Sequence, residues 1–116
     1  MTQNEIDVIV NAILDKKGKN VCSMDLRKVG SGICDFFVVC NADSTVNVSA
    51  IADNIEDEMI VKCNRKLVRS QGKENSFWII QDYGDIVVHI FLTEYRDFYR
   101  LEELWSDCDK KVYDEE

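Results

Sequence analysis

The stretch FWIIQDYGDIVVHIFL, residues 77–92, decides how the chain is read. Two runs rich in Ile, Val, Phe and Trp flank Tyr83-Gly84, which predicts a β-hairpin with strands over 77–82 and 85–92. In the second strand Ile86, Val88, Ile90 and Leu92 form a wholly apolar face, whereas Asp85, Val87, His89 and Phe91 form a mixed one. A two-residue loop at Tyr83-Gly84 pairs Asp82 with Asp85, Ile80 with Val87 and Trp78 with His89, with all six on the mixed face. Two carboxylates then oppose each other, a cost that a cation must relieve and that suggests function. Gly84 also suits the third position of a three-residue loop with a G1 bulge, which moves Trp78 relative to His89. In either register Asp82, Tyr83 and Asp85 lie at the hairpin tip.

Working outward toward the N-terminus, Ile6, Ile9, Val10, Ile13 and Leu14 recur at helical spacing, predicting a helix over 4–17 ended by Gly18. Residues 21–26 and 33–40 read as strands separated by the turn formers of VGSG. Asp43 or Ser44 caps a second helix, in which Val48, Ile51, Ala52, Ile55 and Met59 share a face while Asp53, Glu56, Asp57 and Glu58 face water. A short strand over 65–69 and a polar turn over 70–75 lead into the hairpin. Beyond it, Tyr95, Phe98, Leu101 and Trp105 stripe a helix over 94–105, and 106–116 reads as a frayed acidic tail. The expected architecture is α/β: a mixed β-sheet of about five strands with packed helices, in one domain over 1–105.

The composition agrees with a single globular unit: 116 residues, 46% apolar and 31% charged. Twenty-two acidic against fourteen basic residues leave a net charge of -8, which disfavours binding to a bare phosphate backbone and suits a basic protein partner. Without an apolar run of about 18 residues, and with acids near the N-terminus, the reading is a cytoplasmic protein without membrane contact. Cys22, Cys34, Cys40, Cys63 and Cys108 include no C-x-x-C pair and read as reduced core fillers.

Taken singly, the hairpin residues have ordinary readings: His89 as a hydrogen-bonded, half-buried group, Trp78 as core, Asp82 and Asp85 as turn formers. No second histidine or activated nucleophile accompanies His89. Gly30-Ser31 followed by Asp35 is similar to the G-S…D-x-D signature of nucleotidyltransferases, but Phe37 occupies the second carboxylate position. The expectation is a protein that is not an enzyme, with no catalytic residue, metal or cofactor; a residual nucleotidyltransferase is the alternative.

Two segments, DLRKVGSGICDFFVVCNADSTVNVSAIADNIEDE and FWIIQDYGDIVVHIFLTEYRDFYRLEELW, carry a specific resemblance to the ribosomal silencing factor, or Iojap, family. The second contains the D-Y-G-D-I-V-V-H-I-F run and the E-Y-R-x-F-Y-x-L-E-E-L-W ending. The resemblance implies a nucleotidyltransferase-like α/β fold without known catalysis. It also implies binding to ribosomal protein uL14 on the large (50S) subunit, which sterically blocks the small subunit and represses translation when nutrients are scarce. The family's functional positions fall here on Trp78, Asp82, Tyr83, Asp85, His89, Glu94 and Arg96. A homodimer is implied as possible, for which the aromatic C-terminal stripe offers a surface. The departures are extra cysteines and a Ser-Asn-rich approach to Trp78.

Overall fold

A computed structural model describes residues 2–28, 34–99 and 109–113. The elements run α1 (Thr2–Asp15), β1 (Lys19–Asp25), β2 (Phe36–Ala42), α2 (Thr45–Cys63), β3 (Arg69–Gln71), β4 (Trp78–Asp82), β5 (Ile86–Leu92), α3 (Thr93–Tyr99) and β6 (Asp109–Tyr113). The strands form one six-stranded sheet in the order β3-β4-β5-β2-β1-β6. Only β2 and β5 pair in parallel; the other neighbours are antiparallel, so the sheet is mixed as expected, with one strand more.

The two parallel strands lie at the centre and every residue of each is buried. Strands covered on both faces carry apolar side chains on both, and FFVVCNA and IVVHIFL do so at nearly every position. On one side Val38, Cys40, Val88 and Ile90 meet Ile6, Ile9 and Ile13 of α1 and Val48, Ile51, Ala52, Ile55 and Met59 of α2. On the other, Cys22, Met24, Leu26, Phe37, Val39, Val87 and Phe91 make a second cluster, with Trp78, Ile80 and Tyr95 packed at its border. Cys22 and Cys40 are fully buried core thiols, Cys34 and Cys63 are partly buried, and Cys108 lies outside the described residues. No helix among the described residues is long and apolar enough to cross a membrane.

The helix ends show the local chemistry. Ser44, not Asp43, caps α2: its side chain accepts from the Asn47 backbone N–H at 3.1 Å. Asn64 closes the helix in the left-handed region at φ 54. After α1 the left-handed residue is Lys17 (φ 64), whereas Gly18 is needed for close approach, since a Cβ there would stand 2.2 Å from Cγ2 of Ile13.

Three expectations are corrected. The strand expected over 65–69 forms at Arg69–Gln71, because Arg69 already pairs with Asp82, the last residue of β4, and the residues before it have no ladder partner among the described residues. The hairpin closes one residue later than either expected loop: the Tyr83 N–H donates to the Ile86 carbonyl at 2.9 Å, leaving Gly84-Asp85 as the loop. Gly84 at φ +96 occupies the first central position, the pattern of a type II′ turn that matches strand twist. Finally, the supposed frayed tail contains β6, which pairs with β1 from Val21↔Tyr113 to Asp25↔Asp109. Its side chains are exposed or half-buried, so no apolar periodicity announced it; main-chain pairing to the β1 edge supplies the order, with a Ser23 Oγ to Tyr113 Oη hydrogen bond of 3.1 Å. Of the expected stripe on the last helix, Tyr95 and Phe98 lie on α3, and Leu101 and Trp105 fall outside the described residues.

Truncation after Cys108 therefore tests β6. Removing it uncovers the β1 edge, and the thermal midpoint is expected to fall by on the order of 5 °C or more, with increased aggregation. A disordered tail would leave the melting curve, followed by circular dichroism, unchanged.

Candidate functional site

The observed hairpin register pairs Trp78 with Phe91, Ile80 with His89 and Asp82 with Val87. The shift from the expected pairing is two residues, so each side chain keeps its expected face. Trp78 and His89 are diagonal neighbours, and the Trp78 Nε1–H donates to His89 Nδ1 at 3.1 Å. The indole also stacks on Phe91 with centroids 5.0 Å apart, while Phe37 meets the His89 ring edge-on at 4.6 Å. Because Nδ1 accepts, the proton of the neutral imidazole sits on Nε2, which is enclosed and has no partner among the described residues. Burial pushes the His89 pKa down to about 4, so the ring is neutral at physiological pH and serves as the acceptor that orients Trp78.

Trp78, Ile80 and Asp82 alternate along β4 and are all half-buried, forming a stripe on the sheet face opposite α1 and α2. At its tip end Asp82 Oδ1 accepts from the Gly84 N–H at 2.7 Å, and Asp85 Oδ1 meets Arg65 Nη2 at 2.8 Å. The two carboxylates thus do not oppose each other as the expected register required: Asp82 completes the turn and a guanidinium relieves Asp85. Cys34 lies among the same acids. Burial pushes its thiol up to about 11, and the charges of Asp82, Asp35 and Asp85 act in the same direction.

Tyr83 is corrected. It is 2% exposed and belongs to the helix-side core, with Arg65 over its ring at 5.6 Å. Asp82, the residue before it, points to the other face of the sheet, and alternation turns the Tyr83 ring inward. Burial raises its phenol pKa. Arg96 is likewise not at the tip or on its surface. It is 9% exposed beside β1 and β2, where Nη1 donates to Asn41 Oδ1 at 3.0 Å and to the Asn20 carbonyl. Glu94, in the first turn of α3, is exposed near the Trp78 end, where the Leu92 N–H donates to the Phe77 carbonyl at 2.7 Å.

Arg65 was not anticipated. Its Nη1 meets Glu5 of α1 at 2.8 Å, and its Nη2 meets both Asp85 and the Tyr83 carbonyl, so one side chain fastens the hairpin turn to the first helix. In sequence it stands beside Lys62, Lys66 and Arg69, and nothing local distinguishes it. Of the nucleotidyltransferase-like motif, Gly30 and Ser31 lie outside the described residues, Asp35 is exposed, and Phe37 is 5% exposed in the second cluster.

The family model described as "Ribosomal silencing factor during starvation" matches residues 1–116. A ribosomal silencing factor of Halalkalibacterium halodurans is 35% identical over 106 residues, covering 91% of this chain and 89% of that protein. The mouse protein named "Mitochondrial assembly of ribosomal large subunit protein 1" is 27% identical over 88% of this chain and 45% of its own length. A crystal structure of a Chromobacterium violaceum protein superposes with a TM-score of 0.85 at 29% identity, covering 98% of this chain and 93% of that one.

Burial of His89 gives a pH signature. Its folded pKa lies below the unfolded value of 6.5, so on acidification the unfolded chain takes up a proton that the folded chain refuses until about pH 4. The His89 contribution to stability is expected to be constant above about pH 7 and to fall between 6.5 and 4, by up to about 3 kcal/mol. As His89 is the sole histidine, His89→Gln should flatten urea-unfolding free energies across that window. An unchanged slope would show that the burial of His89 does not govern it.

Proposed function

As the chain belongs to the ribosomal silencing factor family, we propose that it binds ribosomal protein uL14 on the large subunit through the β4 stripe and hairpin tip, and thereby blocks joining of the small subunit. The observation that carries this reading is the half-exposed stripe of Trp78, Ile80 and Asp82, which ends in an acidic tip on a protein of net charge -8. Trp78 is the apolar anchor, held in orientation by His89 and Phe91. Asp82 and Glu94 offer charge-assisted hydrogen bonds to Lys or Arg of a basic ribosomal protein. Asp85 shares its charge with Arg65 and so contributes less. Tyr83 and Arg96 act from within, by holding the tip and the β1–β2–α3 junction, rather than by contact.

The mechanism needs no turnover. A body of 35 × 34 × 29 Å docked on the joining face occupies space that the small subunit must enter, so repression is stoichiometric in the cytoplasm during nutrient limitation. The large-subunit role in the name of the mouse relative is consistent with that partner.

Asp82→Lys combined with Glu94→Lys reverses two charges and leaves the Arg65 ion pairs intact. Co-sedimentation with purified large subunits should weaken at least tenfold, and inhibition of subunit joining should be lost with it. Salt should reduce wild-type affinity only moderately, since few charge pairs rather than many phosphates are engaged. Full binding by the folded double variant would overturn the reading.

A further inference from the structure

Beyond the Trp78 end of the stripe lies a cleft of about 200 Å³ lined by Gly72, Asn75, Phe77, Trp78 and Tyr95. That volume is below the range of about 300–1,000 Å³ typical of small-molecule and cofactor sites, and suits a single long side chain. Three of its five lining residues are aromatic. Phe77 and Tyr95 stack with centroids 4.8 Å apart and planes at 11°, although one precedes β4 and the other sits on α3. Phe77 stays 38% exposed and is the aromatic one of the large apolar side chains exposed among the described residues. The segments that form the walls also carry acids: Glu74 lies in the turn between Gly72 and Asn75, Glu94 precedes Tyr95, and both are exposed. Lys73, the one basic residue of that turn, is paired with Asp53 of α2.

Aromatic faces attract cations through their quadrupole, and flanking carboxylates strengthen that preference. We propose that this cleft receives one Lys or Arg side chain of the basic protein on which the stripe docks, with Trp78, Phe77 and Tyr95 as its walls and Glu74 and Glu94 at its rim. This rests on the docking reading above and extends the contact from the acidic tip to the other end of β4. A nucleotide base stacks on aromatic rings as well, but its phosphates would face Glu74, Glu94 and a net charge of -8.

The intact protein, labelled with 15N and aromatic 13C, would be titrated to tens of millimolar with N-acetylarginine amide, with its neutral isostere N-acetylcitrulline amide, and with AMP. The Trp78 indole N–H and the rings of Phe77 and Tyr95 are expected to shift with the arginine derivative alone. Equal shifts with citrulline, shifts with AMP instead, or no arginine-specific shift would overturn the assignment. In parallel, Phe77→Ala and Tyr95→Leu should each weaken large-subunit binding about fivefold, with Tyr95→Phe losing less than Tyr95→Leu. Unchanged binding by folded Phe77→Ala and Tyr95→Leu proteins would overturn the cleft's part in docking. Failure of the wild-type protein to bind subunits would instead defeat the docking reading, while the arginine titration would still decide what the cleft accepts.

Discussion

The parallel pairing of β2 with β5 is the constraint on which everything else depends. It places seven consecutive residues of each strand, from Phe36↔Ile86 to Ala42↔Leu92, inside the protein with both sheet faces covered. A parallel pair needs a long crossover, and here α2, β3 and β4 supply it. Helices α1 and α2 cover one face, and the second cluster of Phe37, Val39, Val87 and Phe91 requires cover on the other. Once β5 is central, its antiparallel partner β4 lies toward the sheet edge, with only three-residue β3 outside it. Its outward face is therefore half-open, and that is where Trp78, Ile80 and Asp82 emerge.

Polar groups within this frame set precision rather than bulk. His89 sits among apolar strands as a neutral acceptor and fixes the indole of Trp78, a role that depends on the burial that suppresses its protonation. Gln81, fully buried one position from the tip, donates to the Ala52 carbonyl at 2.9 Å and ties β4 to α2. Arg65 ties the turn to α1. The stripe is thus anchored at three levels along a five-residue strand, which preorganises its side chains.

Acidic charge is organised in the same spirit. Part of it is spent internally, as in the pairs Asp25–Arg27, Asp43–Lys19, Asp53–Lys73 and Asp85–Arg65. Asp82, Glu74 and Glu94 form none of the resolved ion pairs, and they border the stripe and its aromatic cleft. A surface so arranged combines an apolar anchor with flanking acids, which sets orientation and encounter rate toward a basic partner more than it adds raw affinity.

The periodic elements are legible in the chain alone. The apolar stripes of α1 and α2, the β-rich runs of β1, β2, β4 and β5, and the shared face of Trp78 and His89 follow from spacing, because periods of 3.6 and 2 translate directly into buried faces. The shared face is the same in the expected and observed registers, since a two-residue shift preserves alternation. The remainder depends on contacts between elements far apart in the chain. Which residues form the turn depended on the Tyr83–Ile86 hydrogen bond, and the burial of Tyr83 and Arg96 depended on elements distant in sequence. The strand β6 exists through main-chain bonds to β1, which side-chain patterns do not encode, and the reach of Arg65 across sixty positions to Glu5 is a long-range contact that no local spacing announces.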